Sequence, residues 1–222
     1  MKIFEQAILA ENNFLSGYRR LSRSDFDKWL ADYNVIVEVA SYMPRQVLEA
    51  YVDDPDVRFL LTERNPDKWA ASFDNFVGGI IAMCGRLPLS VLKYFTPILW
   101  HVEYVNYLCY WLFTDKMMPG APGRREVLRR NYVEYIRFIK GTVPAEKLTV
   151  IQMEDGLGWK QICDFTGDPV PDKPYPSGTE HEERVNKAFK GFVSQGIVNM
   201  TMVLVPVIGV GIGAWLNRAL LW

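Results

Sequence analysis

Three short runs along the chain are continuously apolar or β-branched: Asn34–Val39 (NVIVEV), Val57–Thr62 (VRFLLT) and Leu148–Met153 (LTVIQM). Runs of this length without polar alternation read as strands buried on both faces, as in parallel sheets. Each is followed by a turn and then by apolar spacing of helical period. Helices are expected near residues 2–13, 24–32, 44–52, 67–83, 99–113, 124–140, 157–166 and 180–190. Strands alternating with helices predict an α/β fold with a parallel sheet and right-handed crossovers.

Phe76–Phe113 departs from the rest, with only three charged residues (Arg86, Lys93, Glu103) and nine aromatics. Trp100, Tyr104, Tyr107 and Trp111 recur at i, i+4, i+7 and i+11, so they share one helical face. That face is a core stripe, a pocket for a greasy substrate, or a surface lying on a membrane, where a polar-tipped ring is at home. Thr114–Arg125 is a loop by its Pro and Gly content, and Gly167–Thr179 is an extended, proline-stiffened segment.

The C-terminal pattern is different again. No charge occurs from Gly191 to Asn217, and Met200–Leu216 (MTMVLVPVIGVGIGAWL) is almost wholly apolar. A membrane-crossing helix takes about 20 such residues, with ~17 as the lower limit. Pro206, Gly209, Gly211 and Gly213 suit a membrane helix better than a soluble one. Arg184, Lys187 and Lys190 precede the run and only Arg218 follows it. That bias keeps the preceding domain on the cytosolic face of an intracellular membrane, with the tail as anchor. The competing reading is a buried hairpin or core helix of an otherwise cytoplasmic domain. The expected division is thus an α/β domain over 1–190 and an apolar, membrane-prone helix over 191–222.

Bulk composition narrows the chemistry. The net charge is -1, with 23% charged and 49% hydrophobic residues, a globular balance. Gly123–Arg130 (GRREVLRR) is the densest basic stretch and reads as a solvated helix face, so no nucleic-acid partner is expected. Cys84, Cys109 and Cys163 are scattered among apolar neighbours and read as buried reduced thiols. His101 and His181 are the only histidines; no metal site is expected at their spacing. Glu154 and Asp155 follow the third run, where with Lys160 they border a pocket or cap the next helix.

Arg58–Asn75 (RFLLTERNPDKWAASFDN) carries the densest local signal. The second run ends in Glu63-Arg64; Asn65 is a good N-cap and Pro66 a good first helical residue. A helix starting there presents free N–H groups and a positive dipole end. Ser72 lies seven residues past the cap, about two turns, and so on the same side. A guanidinium and a hydroxyl there suit one phosphate; an ordinary strand-to-helix turn explains the same residues.

The stretch resembles the phosphate-binding region of cytosolic-type sulfotransferases. More closely, the chain is similar to the sulfotransferase-like proteins of P-loop fold found in fungi and bacteria. The residues carrying the resemblance are LLTERNPDKWAAS and then VPAEKLTVIQMEDGLGWKQICDFTGDPVPDKPYP (Val143–Pro176), within a likeness running from about residue 25 to 177. It implies a three-layer P-loop-type fold and sulfuryl transfer as parent chemistry, in fungal-type secondary metabolism. It further implies that Arg64 and Ser72 bind the 3′-phosphate of 3′-phosphoadenosine 5′-phosphosulfate. The Trp100/Tyr104/Tyr107/Trp111 face would then stand near a lipophilic acceptor. Many fungal members also end in an apolar tail.

Departures from that pattern are specific. The family's glycine-rich G-x-x-R-T-G-T-type loop has no counterpart, and Met1 aligns just beyond the family's first strand and loop. A histidine-asparagine pair is replaced by Tyr135-Ile136, and an asparagine after the last motif by the neighbourhood of Ser177. Of the D-x-P element only Glu38 and SYMP are visible, with Glu38 as the residue offered for an acid/base role. A central strand removed from such a sheet exposes backbone groups worth on the order of 1–3 kcal/mol each when buried unpaired. The expected sheet is therefore closed up, patched by the N-terminus, or a remnant. Two functions stay open: a membrane-associated transferase-type protein acting on or binding a lipophilic small molecule, or a non-catalytic tail-anchored relic or binding protein. A truncated gene model is a third reading.

Overall fold

In the computed structural model, which describes residues 2–12, 16–176 and 178–219, the second and third apolar runs become the two strands of one small parallel sheet. These are β1 (Phe59–Glu63) and β2 (Leu148–Gln152), in register from Phe59 opposite Leu148 to Glu63 opposite Gln152. Between them lie α4 (Pro66–Phe73), α5 (Gly79–Cys84), α6 (Leu89–Leu92), α7 (Pro97–Thr114) and α8 (Arg124–Thr142). Before β1 come α1 (Lys2–Asn12), α2 (Arg23–Trp29) and α3 (Pro44–Tyr51); after β2 come α9 (Trp159–Thr166) and α10 (Gly178–Ala219). The chain is therefore a mixed helix/strand protein with a small parallel sheet and an apolar C-terminal helix.

The first expected strand does not form. Asn34–Glu38 is irregular and leads into a 3₁₀ turn over Val39–Tyr42, with Glu38 at φ 66°. Val35 and Val37 are exposed, at 57% and 76%. A β-branched run becomes a strand only where a neighbour takes its backbone bonds and a face is covered, and here neither holds. The expectation of strands buried on both faces also fails in part: in β2 only Ile151 is buried. With one partner strand and one covered face, alternate residues face outward.

Two compact units divide the chain. The first comprises Met1–Gly79 with Val105–Tyr175, the second Ile80–Tyr104 with Pro176–Trp222. In the first, Leu48, Leu61, Tyr132, Ile136, Ile139 and Val143 form the buried cluster, with Phe59, Trp69 and Leu148 packed on it. Burying an aliphatic side chain of this kind stabilises by roughly 1.5–3 kcal/mol. Polar wiring joins α1 to α3 in the same unit. Gln46, fully buried, donates from Nε2 to the Ala7 carbonyl and to Glu11, both at 2.9 Å. Glu11 in turn accepts from the Arg45 N–H at 2.9 Å, serving the start of α3.

The helix expected over 67–83 is interrupted: α4 passes through a π-turn at Asp74–Gly78 before α5 begins. Such insertions recur where one side chain must be re-aimed, and here that residue is Asp74. Its side chain is 4% exposed and accepts from Tyr110 Oη (2.8 Å), Arg124 Nε (2.8 Å) and Arg125 Nε (2.9 Å). Burial pushes the Asp74 carboxyl up, but the hydrogen bonds from Arg124, Arg125 and Tyr110 outweigh it and hold it below the usual range.

In the second unit, Cys84, Leu89 and Leu99 form the core, with Ile80, Met83, Phe189, Phe192 and Val193 against it. The boundary expected at 190/191 falls inside α10, which runs unbroken through it. Its early half is seated: Gly196 is buried, and a Cβ there would come within 2.9 Å of Thr96 Oγ1 and 3.0 Å of Leu92 Cβ. From Thr201 to Trp215 every residue is exposed.

Candidate functional site

Arg64 leaves the carboxyl end of β1, the edge where open parallel sheets offer their loops to ligands. Its backbone is fixed from below: the Arg64 N–H donates to Tyr132 Oη at 2.9 Å. Tyr132 is itself stacked on Trp69 of α4, ring centroids 4.4 Å apart at 14°, and Trp69 on Phe73 at 4.9 Å. A ladder of rings from α8 to α4 thus sets where the β1–α4 turn sits. The Arg64 side chain is half-buried and has no ion pair or hydrogen bond among the described residues. Ser72 is exposed, on the stripe of α4 that also carries exposed Asn65 and Lys68. No hydrogen bond joins Arg64 to Ser72.

The start of α4 is closed. Asn65 Oδ1 accepts from the amides of Asp67 (3.0 Å) and Lys68 (3.2 Å), Trp69 N–H reaches the Asn65 carbonyl (2.9 Å), and Pro66 has no N–H. The remaining donor, Asn65 N–H, goes to Glu154 Oε1 at 3.0 Å. The free N–H groups expected at this helix start are therefore engaged, and a carboxylate occupies the position an anion would take. The cause is local: a strong N-cap beside a loop, Met153–Asp155, that follows β2 and so arrives at the same sheet edge. Glu154 thus caps α4 rather than its own following helix. At the same edge Glu63 is bound by Lys140 and by Gln152 Nε2 (2.7 Å), and the Lys140 contact holds its carboxyl below the ordinary value.

Glu38 has its own neighbourhood. Tyr42 Oη lies 3.4 Å from Glu38 Oε1, and burial, with Glu38 nearby, pushes the Cys109 thiol up to about 12. No hydrogen bond or ion pair links Glu38 to Arg64 or Ser72. On α7, Trp100 stacks on Tyr104 (centroids 5.1 Å, 23°) and Tyr107 meets Trp111 (5.5 Å, 51°). These rings fall into pairs, the first in the second unit and the other in the first. The Trp111 indole N–H is buried without a hydrogen-bond partner among the described residues, which costs about 1–3 kcal/mol unless something answers it.

Comparison with known proteins now has a geometry to attach to. A sulfotransferase domain family model matches residues 1–184. The chain belongs to the sulfotransferase domain family. The match extends further toward the N-terminus than the expected likeness, which begins near residue 25. A curated relative, "Ava biosynthesis cluster protein M" of Aspergillus versicolor, is 25% identical over 202 residues, covering 84% of this chain and 72% of the relative.

In this sulfotransferase-family chain, sequence reasoning reached Arg64 and Ser72 but missed the role of Glu154 and the whole Asp74–Tyr110–Arg124–Arg125 cluster. A carboxylate directly after a strand that runs parallel to β1 was the available signal for Glu154. Nothing in the sequence marked Asp74. His181 and Ser177 lie outside the residues whose side chains are described, and among the described residues no three His, Cys, Asp or Glu side chains gather as a metal site.

Proposed function

We propose that this sulfotransferase-family protein is membrane-anchored and acts on or binds a lipophilic small molecule, with Arg64 and Ser72 holding the phosphate end of 3′-phosphoadenosine 5′-phosphosulfate. The observation that carries the reading is α10 beside a sulfotransferase domain. Its Val185–Trp215 stretch is long and apolar enough to cross a membrane, and from Thr201 to Trp215 every residue is exposed. Leaving so many apolar side chains in water costs about 25 cal/mol per Å² of their surface, which a bilayer relieves. Lys187 and Lys190 before the span, against Arg218 after it, favour a cytosolic domain.

Arg64 and Ser72 are the side chains offered to that phosphate: the guanidinium has no ion pair among the described residues and the hydroxyl is exposed. The donor, when bound, supplies the sulfuryl group; this chain's contribution at Arg64 is orientation of the nucleotide end. The Trp100/Tyr104 pair and the Tyr107/Trp111 pair of α7 are each candidate apolar surfaces for the lipophilic ligand. The relative's name places that protein in a biosynthesis cluster, which supports a role in secondary metabolism. A second reading, a membrane-tethered binding protein without transfer, is favoured by Glu154, whose charge at the start of α4 opposes an incoming phosphate.

Two measurements separate these. Vesicle flotation compares the wild type with a Val205→Glu/Ile208→Glu/Ile212→Glu variant, changed only where α10 is exposed; equal flotation ends the membrane claim. Calorimetry with adenosine 3′,5′-bisphosphate compares wild type with Arg64→Ala. Heat in the wild type and none in the variant supports the donor site, and no heat in either leaves the binding-protein reading.

A further inference from the structure

We infer that α10 is not the only membrane contact: the segment Leu87–Trp100 lies in the bilayer interface beside it. The inference rests on the membrane reading of α10 and adds a second surface to it.

Length makes the argument. Spanning the hydrocarbon takes ~20 helical residues. The fully exposed part of α10 begins at Thr201, and Arg218 ends the uncharged run, so the interval between them only reaches the lower limit of a span. A slab of ordinary thickness reaches back along α10 to about Ile197, which is itself exposed. That is the level at which α10 is docked: Gly196 abuts Leu92 and Thr96, and Asn199 Nδ2 donates to the Phe95 carbonyl at 2.7 Å. Whatever covers Ile197 in lipid brings the α6 segment to the boundary.

The segment is built for that boundary. Leu87 (79% exposed), Tyr94 (74%), Val91, Ile98 and Trp100 all remain exposed, even though Trp100 stacks on Tyr104 and the Lys93 ammonium lies over the Tyr94 ring. Tyr and Trp are the rings that favour the headgroup level. The charge inside the segment is cancelled: Lys93 Nζ donates to Glu103 at 2.6 Å, with both side chains at most 16% exposed. The polar groups of α10 at this depth are satisfied internally. Gln195 Nε2 donates to Asn199 Oδ1 (2.8 Å), and Thr201 Oγ1 to the Ile197 carbonyl (2.8 Å). Closed pairing of this kind is what a low-dielectric setting demands. Arg86, Lys187 and Lys190 are exposed in the same unit, with Glu183 beside the last two, a small cationic excess that anionic headgroups match.

The test uses the full chain reconstituted in phosphatidylcholine/phosphatidylserine vesicles, with an environment-sensitive probe on a single introduced cysteine. The sites are Tyr94→Cys, Val207→Cys in the exposed half of α10, and Lys160→Cys on α9. Native Cys84, Cys109 and Cys163 are buried, and labelled wild type sets the background. Brominated lipid should quench the probe at 94 and at 207 but not at 160. A loss of roughly twofold at 94 is expected for a group ~5–10 Å into the headgroup/acyl boundary. Quenching at 207 with position 94 behaving like 160 overturns the inference and leaves the anchor standing. Quenching at none of the three removes both.

Discussion

Replacing Asp74 with asparagine should unfold the protein far more easily than its position at the end of a short surface helix implies. The carboxylate gathers three donors within 2.9 Å, from Tyr110, Arg124 and Arg125. Side-chain exposure is 4% for Asp74, 25% for Arg124 and 54% for Arg125. Removing one partner of a fully buried pair costs about 3–5 kcal/mol, while an exposed pair is worth ~0–1 kcal/mol. Arg124 falls nearer the first case and Arg125 nearer the second. Asparagine keeps one acceptor oxygen, enough for Tyr110 or one arginine, so a net loss of about 3 kcal/mol is expected. At ~2–4 °C per kcal/mol for a chain of this size, melting should fall by about 6–12 °C. The assay is far-UV circular dichroism during heating and in urea, on the detergent-solubilised chain. A cycle with Tyr110→Phe should show coupling above ~0.5 kcal/mol. A loss under about 1 kcal/mol for Asp74→Asn, or independent effects of the two changes, would refute the wiring.

The same carboxylate predicts a pH dependence. Its folded value lies below the ordinary ~3.9, so as pH falls the unfolded chain takes up the proton first. The stability it confers is complete above about pH 5, declines as pH drops toward the folded value, and should decline less in Asp74→Asn when urea midpoints are compared. Asn65→Ala leaves two amides of α4 without their acceptor and should cost ~0.5–2 kcal/mol, whereas Asn65→Asp should be nearly neutral, by the same urea titration. Gly196→Leu cannot be seated against Thr96 and Leu92, so the buried Cys84 should react faster with a maleimide, located by mass spectrometry. An unchanged rate would mean that α10 does not hold the second core shut.

Part of this molecule was readable from residues alone. β1 and β2 announced themselves because both are apolar runs ending at turn residues, and Val143–Pro176 carried a family likeness that the sulfotransferase domain match bears out. Asn34–Val39 has the same composition, but a strand is a pairwise object, and local pattern does not report whether a partner exists. The π-turn at Asp74 was invisible because the apolar spacing runs straight through it. Asn65 was legible as a cap; that its own N–H is taken by Glu154, far along the chain, was not. The tail read as apolar, yet its early half turned out to be docked at Gly196, since small residues look alike whether they face lipid or a neighbouring helix.

Consider the separation between the two strands. Phe59 and Leu148 are register partners with the whole of α4 to α8 between them. Closing a loop of that size costs on the order of 4 kcal/mol in chain entropy, against a ladder of only five residue pairs. Such a ribbon cannot nucleate by itself. It must await the docking of α8 on α4, which makes the sheet a late product of folding and leaves β1 single for much of the time the chain is being made.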